Sequence, residues 1–258
     1  MERNVLLTRE NLKISCKLSV PENRSIRRMV LGVHGFAGSA DDAIQTGIAE
    51  EMGLFGAATV RFDFPAHGES PMGSAALSLQ SCVDTLLGAA GYGLEQFPDT
   101  RELCVFATGF GAYVTLTALN DLLELPVKVK LVLQTPSVRM DKTLLAMLGR
   151  SAETLRLEER CTVPAPRPFD VTYRFYEELR QNGMPELPAI PVLILQGEKD
   201  DYIDPENLLA FRHGSEEAKL VIIPGASHRF QEEGAWDMVL DLTRDWFEFE
   251  QVLLSDWE

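Results

Sequence analysis

Short apolar runs bounded by turn residues recur along the chain, and between them apolar positions repeat at helical spacing. The runs Arg28–His34, Ala57–Phe62, Leu103–Ala107, Lys130–Leu133 (extendable back to Val127), Val192–Leu195 and Leu220–Ile223 are mostly apolar at consecutive positions. Strands covered on both faces read this way, because neither row of side chains meets water. Val5–Thr8 and Leu12–Leu18 predict two further strands joined by a turn at Arg9–Asn11, and Pro21–Ser25 a loop. Helical spacing covers Ala43–Met52, Leu77–Leu94, Gly111–Leu125, Leu208–His213 and Trp236–Leu254. Asp41 and Asp42 stand where the first helix starts, and Asp204 fits a cap for the helix opened by Pro205. Gly88, Gly91 and Gly93 weaken the second half of the Leu77–Leu94 helix. In Trp236–Leu254, Trp246, Phe247 and Phe249 form the apolar side. The alternation predicts an α/β fold: a mostly parallel sheet, helices on both faces and right-handed crossovers.

One segment breaks the rhythm. Between Leu133 and Val192 lie helical stretches at Leu144–Leu148, Ala152–Leu157 and Val171–Asn182, separated by Pro164, Pro166 and Pro168. A connection that long, with helices of its own, predicts an insertion rather than a loop. The expected organisation is one core, residues 1–136 and 189–258, carrying an inserted helical cap at 137–188. No internal repeat or low-complexity tract interrupts it.

Composition narrows the function. The 258 residues carry 39 acidic and 24 basic side chains, a formal charge of −15. That field opposes a phosphate backbone, so nucleic acid is not the expected partner. No run approaches about 18 apolar residues, so no membrane span is expected. The opening MERNVLLTREN lacks a basic stretch followed by an apolar one, which argues against secretion. Cys16, Cys82, Cys104 and Cys161 are widely spaced without a CxxC, and read as reduced thiols of a cytoplasmic protein, with structural disulfides the weaker alternative. Oligomeric state stays open.

Candidate chemistry centres on LCVFATGFGA, Leu103–Ala112. A buried strand that turns sharply at Thr108–Gly109 into a helix presents its turn at the carboxyl edge of the sheet, where open α/β folds bind ligands. No GxxxxGK, GxGxxG, HxxxH or HExxH spacing occurs, so no cofactor and no metal are expected.

Four segments in order resemble the α/β-hydrolase superfamily, in its esterase, monoacylglycerol-lipase-like and serine-aminopeptidase-like branch. His34–Phe36 (HGF) resembles the oxyanion loop, and Asp63–Ser70 (DFPAHGES) the DxRGHGxS stretch. Ala107–Gly111 resembles the nucleophile elbow G-x-S-x-G. Gly197–Asp200 (GEKD) and Gly225–Phe230 (GASHRF) resemble the segments that supply the triad acid and histidine.

The resemblance implies an α/β-hydrolase fold with an eight-stranded sheet and a cap, and a small-molecule substrate. It implies that His228 moves a proton, that Asp200 (ahead of Asp201) orients it, and that the amides of Phe36 and Phe110 face an oxyanion. His34, Gly35, Thr108, Gly111, Asp63 and His67 would line the pocket or support its loops. His34, His67 and Asp63 are expected to hold loops rather than react. Gly109 occupies the serine position, which removes the usual attacking oxygen. Thr108, Ser70 and Ser227 are weak candidates for a displaced nucleophile, and Cys104 reads as core. Three functions stay open: a hydrolase on a small ester, thioester or amide using water or working weakly, a non-catalytic binding or interaction protein, and an Asp–His enzyme of another class such as a lyase.

Overall fold

Each central strand divides its side chains between two apolar faces, and that division places the helices. The computed structural model describes residues 1–9, 11–22, 25–187 and 189–247. In chain order the elements are β1 (Glu2–Arg9), β2 (Leu12–Ser19), β3 (Arg28–Val33), α1 (Ala43–Leu54), β4 (Ala58–Phe62), α2 (Leu79–Gln96), β5 (Glu102–Thr108), α3 (Phe110–Thr117), α4 (Leu119–Leu123) and β6 (Lys128–Gln134). Then come α5 (Met140–Leu148), α6 (Ala152–Glu158), β7 (Arg160–Val163), β8 (Phe169–Thr172), α7 (Tyr173–Asn182), β9 (Val192–Gly197), α8 (Pro205–Arg212), β10 (Ala218–Ile223) and α9 (Ala235–Trp246).

Eight strands form one sheet in the order β1-β2-β4-β3-β5-β6-β9-β10. β1 and β2 are antiparallel, β2 meets β4 antiparallel, and the other pairs are parallel. Met29, Leu31, Val33, Leu103, Val105, Ala107, Leu131, Leu133 and Ile194 face α2 and α3. Val30, Cys104, Phe106, Val132, Leu193 and Leu195 face α1 and α9. Period two with both faces apolar is the signature of a parallel sheet buried on both sides. The register aligns Phe62, Val33, Ala107, Leu133 and Ile194 across the sheet, so their following loops leave at one edge.

Some elements differ from the sequence expectation for identifiable reasons. α2 runs unbroken from a capping box of Ser78 and Ser81. Gly93 is a packing contact there: a Cβ would meet Met29 Cε and Val60 Cγ2 at 2.9 Å. The Gly111–Leu125 helix is divided at Ala118. Thr115 and Thr117 donate back to the carbonyls of Gly111 (2.8 Å) and Tyr113 (2.9 Å), a bonding that bends helices.

Val171 lies in a strand, not a helix. β7 and β8 pair antiparallel, with Val163, Phe169 and Val171 turned inward and the proline cluster as their connection. α7 starts after Thr172, whose hydroxyl accepts from the Phe175 amide. Thus residues between β6 and β9 form helices and a two-stranded ribbon, whose Phe169, Val171, Phe175 and Leu179 join the core under α2 and α3. The expected terminal helix ends by Trp246; Phe249 and the residues to Leu254 lie outside the described residues.

The four cysteines are all free thiols. Burial pushes Cys16 and Cys104 up to about 12, so both are inert. Among the described residues no helix is long and apolar enough to cross a membrane, and no cluster of His, Cys, Asp and Glu could hold a metal.

Candidate active site

β5 ends at Thr108, and the chain reverses into α3 at Gly109, whose φ of 49° and ψ of −111° suit a residue without Cβ. The Gly109 amide donates to the Gln134 carbonyl (2.9 Å), and its carbonyl accepts from the amides of Tyr113 (3.3 Å) and Ser137 (3.2 Å). A Cβ at Gly109 would meet only Ser137 Oγ at 3.8 Å and Gly35 Cα and the Thr135 carbonyl at 4.0 Å. Those are ordinary contacts, so the site has room for the side chain it lacks. Gly111 has no such room. Its Cβ would overlap the His34 carbonyl and approach the Val33 carbonyl to 2.8 Å, because α3 lies directly on the end of β3.

The loop after β3 crosses the elbow. Gly35 packs on Thr108, 3.4 Å from its Oγ1 to a Cβ at 35, and Thr108 Oγ1 donates to the Val33 carbonyl (3.4 Å). Among the described residues neither the Phe36 amide nor the Phe110 amide has an acceptor, and Phe110 opens α3. Two free N–H groups, one at a helix N-terminus, suit a developing negative charge.

Asp200 follows β9 and His228 follows β10. His228 Nδ1 lies 2.9 Å from Asp200 Oδ2. The Asp200 carboxylate, with 1% of its side chain exposed, also accepts from Gln196 Nε2 (2.9 Å), the Tyr202 amide (2.9 Å) and the Ile203 amide (3.1 Å). Burial raises its pKa, but the bonds from His228 and these amides outweigh burial and hold it below the usual carboxylate value. A carboxylate so fixed puts the His228 proton on Nδ1 and leaves Nε2 as the acceptor. The His228 ring is 20% exposed, with Tyr202 edge-on at 5.0 Å. Asp201 is exposed and does not contact His228, so the structure pairs Asp200 and leaves its neighbour out.

The remaining residues knit the rim. His34 is fully buried; Nδ1 donates to the Gly35 carbonyl (2.8 Å), and Nε2 accepts from the Phe64 amide (3.1 Å). Burial lowers its pKa to about 4, so it is neutral and ties two loops together. Asp63 accepts from the amides of Ala40 (2.8 Å) and Glu69 (3.0 Å). Burial above all raises its pKa. His67 donates from Nδ1 to the Pro65 carbonyl (2.9 Å), and burial lowers its pKa to about 3.

Phe36, Phe110 and His67 form an aromatic wall, joined by Phe169 of β8 at 5.5 Å from Phe36 and 4.4 Å from His67, and by Phe175 of α7 at 6.1 Å from Phe110. The ribbon is held there by Arg167, which donates to the carbonyls of Gly68 (3.2 Å) and Ser70. A cleft of about 130 Å³ beside Tyr202 is lined by Val138, Arg139 and Ile203; a larger one of about 490 Å³, around Glu2 and Arg61, touches none of these residues.

Two features escaped sequence reasoning. Among the described residues five non-glycine residues have positive φ, and four of them, Ala37, Ala66, Thr135 and Phe230, lie in loops leaving the carboxyl ends of β3, β4, β6 and β10. Such conformations cost about 1–3 kcal/mol each and persist only where the surrounding structure holds them. The other is Ser137, nearest to the missing side chain; only the register of β5 with β6 brings it there. Among the earlier alternatives, Ser70 and Cys104 are buried, and Thr108 is bonded to Val33.

A parallel sheet with an antiparallel start, a strained elbow after β5 and an acid and histidine after its last two strands define the α/β-hydrolase fold. The chain belongs to the alpha/beta hydrolase family, whose model matches residues 30–242. Similar solved structures include Est1E of Butyrivibrio proteoclasticus with ferulic acid bound (TM-score 0.79, 19% identity, 96% of this chain and 99% of that one). Alpha/beta hydrolase domain-containing protein 10 from mouse is also similar (0.74, 16%, 95% and 98%), as is dienelactone hydrolase from Anabaena variabilis (0.64, 21%, 96% and 97%). Among curated proteins none matches the chain in sequence.

Proposed function

We propose that this protein hydrolyses a small ester, thioester or amide by water attack, with residue 109 providing space rather than a nucleophile. One observation carries the reading: a buried carboxylate with four hydrogen-bond donors fixes the His228 ring in the loop after β10, at the sheet edge where β5 turns at the elbow. Those four donors keep the sequestered carboxylate charged, and a charged carboxylate on Nδ1 fixes the tautomer that leaves Nε2 free to take a proton. His228 Nε2 takes a proton from water as its oxygen bonds to the carbonyl carbon. The carbonyl oxygen becomes an oxyanion held by the amides of Phe36 and Phe110. As that intermediate collapses, the bond to the leaving group breaks and His228 returns the proton to the departing atom. Without a nucleophilic serine, such a site keeps about 10³–10⁴-fold acceleration over water.

Residues 137–188 act as the cap, and Phe169 and Phe175 make the aromatic lining that selects the acyl group. Ferulic acid bound to Est1E supports including aromatic acyl esters among the substrates tried. The free thiols fit a reducing, cytoplasmic setting. Gly109 favours a second reading, a ligand-binding protein that keeps the pocket and has lost the chemistry. A panel of p-nitrophenyl esters decides between them. Hydrolysis that falls at least tenfold in His228→Ala supports the enzyme, and hydrolysis unchanged by that substitution leaves only the binding reading.

A further inference from the structure

Resting on the reading above, we infer that Ser137 is a positioning residue whose hydroxyl holds the attacking water between the elbow and His228. Ser137 Oγ is the nearest atom to the point a side chain at residue 109 would occupy, at 3.8 Å. It is 2% exposed, and its hydroxyl has no hydrogen-bond partner among the described residues. A hydroxyl with no protein partner keeps both its proton and its lone pairs for a bound water. Ser137 and His228 are not bonded to each other, although the hydroxyl of one and Nε2 of the other both lack a partner among the described residues.

The backbone fixes the hydroxyl in place. The Ser137 amide donates to the Gly109 carbonyl at 3.2 Å, so the two residues move together. Thr135, two residues earlier, has φ of 42° and donates its amide to the Leu195 carbonyl at 2.7 Å. A strained turn held by the neighbouring strand is how a rigid position is kept.

The chemistry follows from size. A water occupies about 30 Å³ and needs two to four polar partners. It cannot sit at the Cβ point, one bond from Gly109 Cα, so it settles beyond, where the oxygen of the missing serine would lie. There Ser137 Oγ and the Thr135 carbonyl, 3.8 and 4.0 Å from the Cβ point, are two partners, and the assignment makes His228 Nε2 the third. Ser137 donates to or accepts from this water and forms no covalent bond. The proton passes from water to His228, and the hydroxide oxygen bonds to the carbonyl carbon.

A double-mutant cycle between residues 137 and 109 tests this. Ser137→Ala in the natural chain lowers kcat for a p-nitrophenyl ester at least tenfold with KM within twofold. In the Gly109→Ser background, where the introduced hydroxyl replaces the water in acylation, the penalty of Ser137→Ala is at least fivefold smaller. Ser137→Cys, close in volume but a poor hydrogen-bonding group, repeats the loss if Ser137→Ala is unstable. Equal penalties in both backgrounds, or none in the natural chain, overturn the assignment. So does an acyl or fluorophosphonate adduct on Ser137 seen by mass spectrometry, which would make it the nucleophile. If His228→Ala changes nothing either, the hydrolase reading itself has failed; if hydrolysis depends on His228 but not on Ser137, only this assignment has.

Discussion

Placing a serine at residue 109 should raise activity and lower stability together. At φ 49° and ψ −111° a non-glycine residue carries strain of about 1–3 kcal/mol. Sterics add nothing, because the new Cβ meets Ser137 Oγ, Gly35 Cα and the Thr135 carbonyl no closer than 3.8 Å. For a chain of this size each kcal/mol moves the melting temperature by about 2–4 °C, so Gly109→Ser should melt about 2–12 °C lower. If Asp200, His228 and the two amides stand ready, the added hydroxyl lowers the barrier by about 4 kcal/mol, a gain of about 10³ in kcat. p-Nitrophenyl acetate is the substrate, followed by stopped flow. A burst of one equivalent of p-nitrophenolate and fluorophosphonate labelling at residue 109 should appear in the variant. A folded variant with neither burst nor gain would refute the claim that His228 serves the elbow. A melting temperature lowered far beyond this range would refute the claim that the space is there.

Gly111 makes the opposite prediction at the same turn. Gly111→Ala drives its Cβ into the carbonyls of His34 and Val33, backbone that cannot swing aside. It should cost about 1–3 kcal/mol or more, and differential scanning calorimetry checks the loss; an unchanged melting temperature would mean α3 does not rest on β3. Stability should also depend on His34 and His67. Burial holds them at about 4 and about 3, below the ordinary 6.5, so the unfolded chain takes up protons first as pH falls. Their contribution is complete above pH 6.5 and is lost progressively as pH falls toward about 4. The pair gives a slope of about 2–3 kcal/mol per pH unit between pH 6 and 5, read from urea midpoints. Half that slope would show that one ring takes up its proton in the folded state, and a flat profile that both do.

The strands were legible because period two and two apolar faces leave little choice: Leu103–Ala107 and Val192–Leu195 both grew at their ends but did not move. β7 and β8 were not, since Phe169 and Val171 are strand residues only through pairing with Val163 and Cys161 across the proline turn. Gly93 reads locally as a helix breaker, and only the sheet beneath it, at Met29 and Val60, makes it a contact. Asp200 and His228 could be named from local motifs, Asp200 ahead of Asp201 by its spacing from Gly197, and the bond to His228 agrees with that ranking.

The sequence alone determined the alternation of strand and helix, the turn at Thr108–Gly109 and the missing oxygen at its tip, because each is set by residues adjacent in the chain. Tertiary structure alone decided that Ser137 stands over that tip and that Phe169 and Phe175 close the aromatic wall. It also placed the strained loops together at one edge. Those neighbours come from different strands and helices, and no local rule brings them together. Packing of the sheet does.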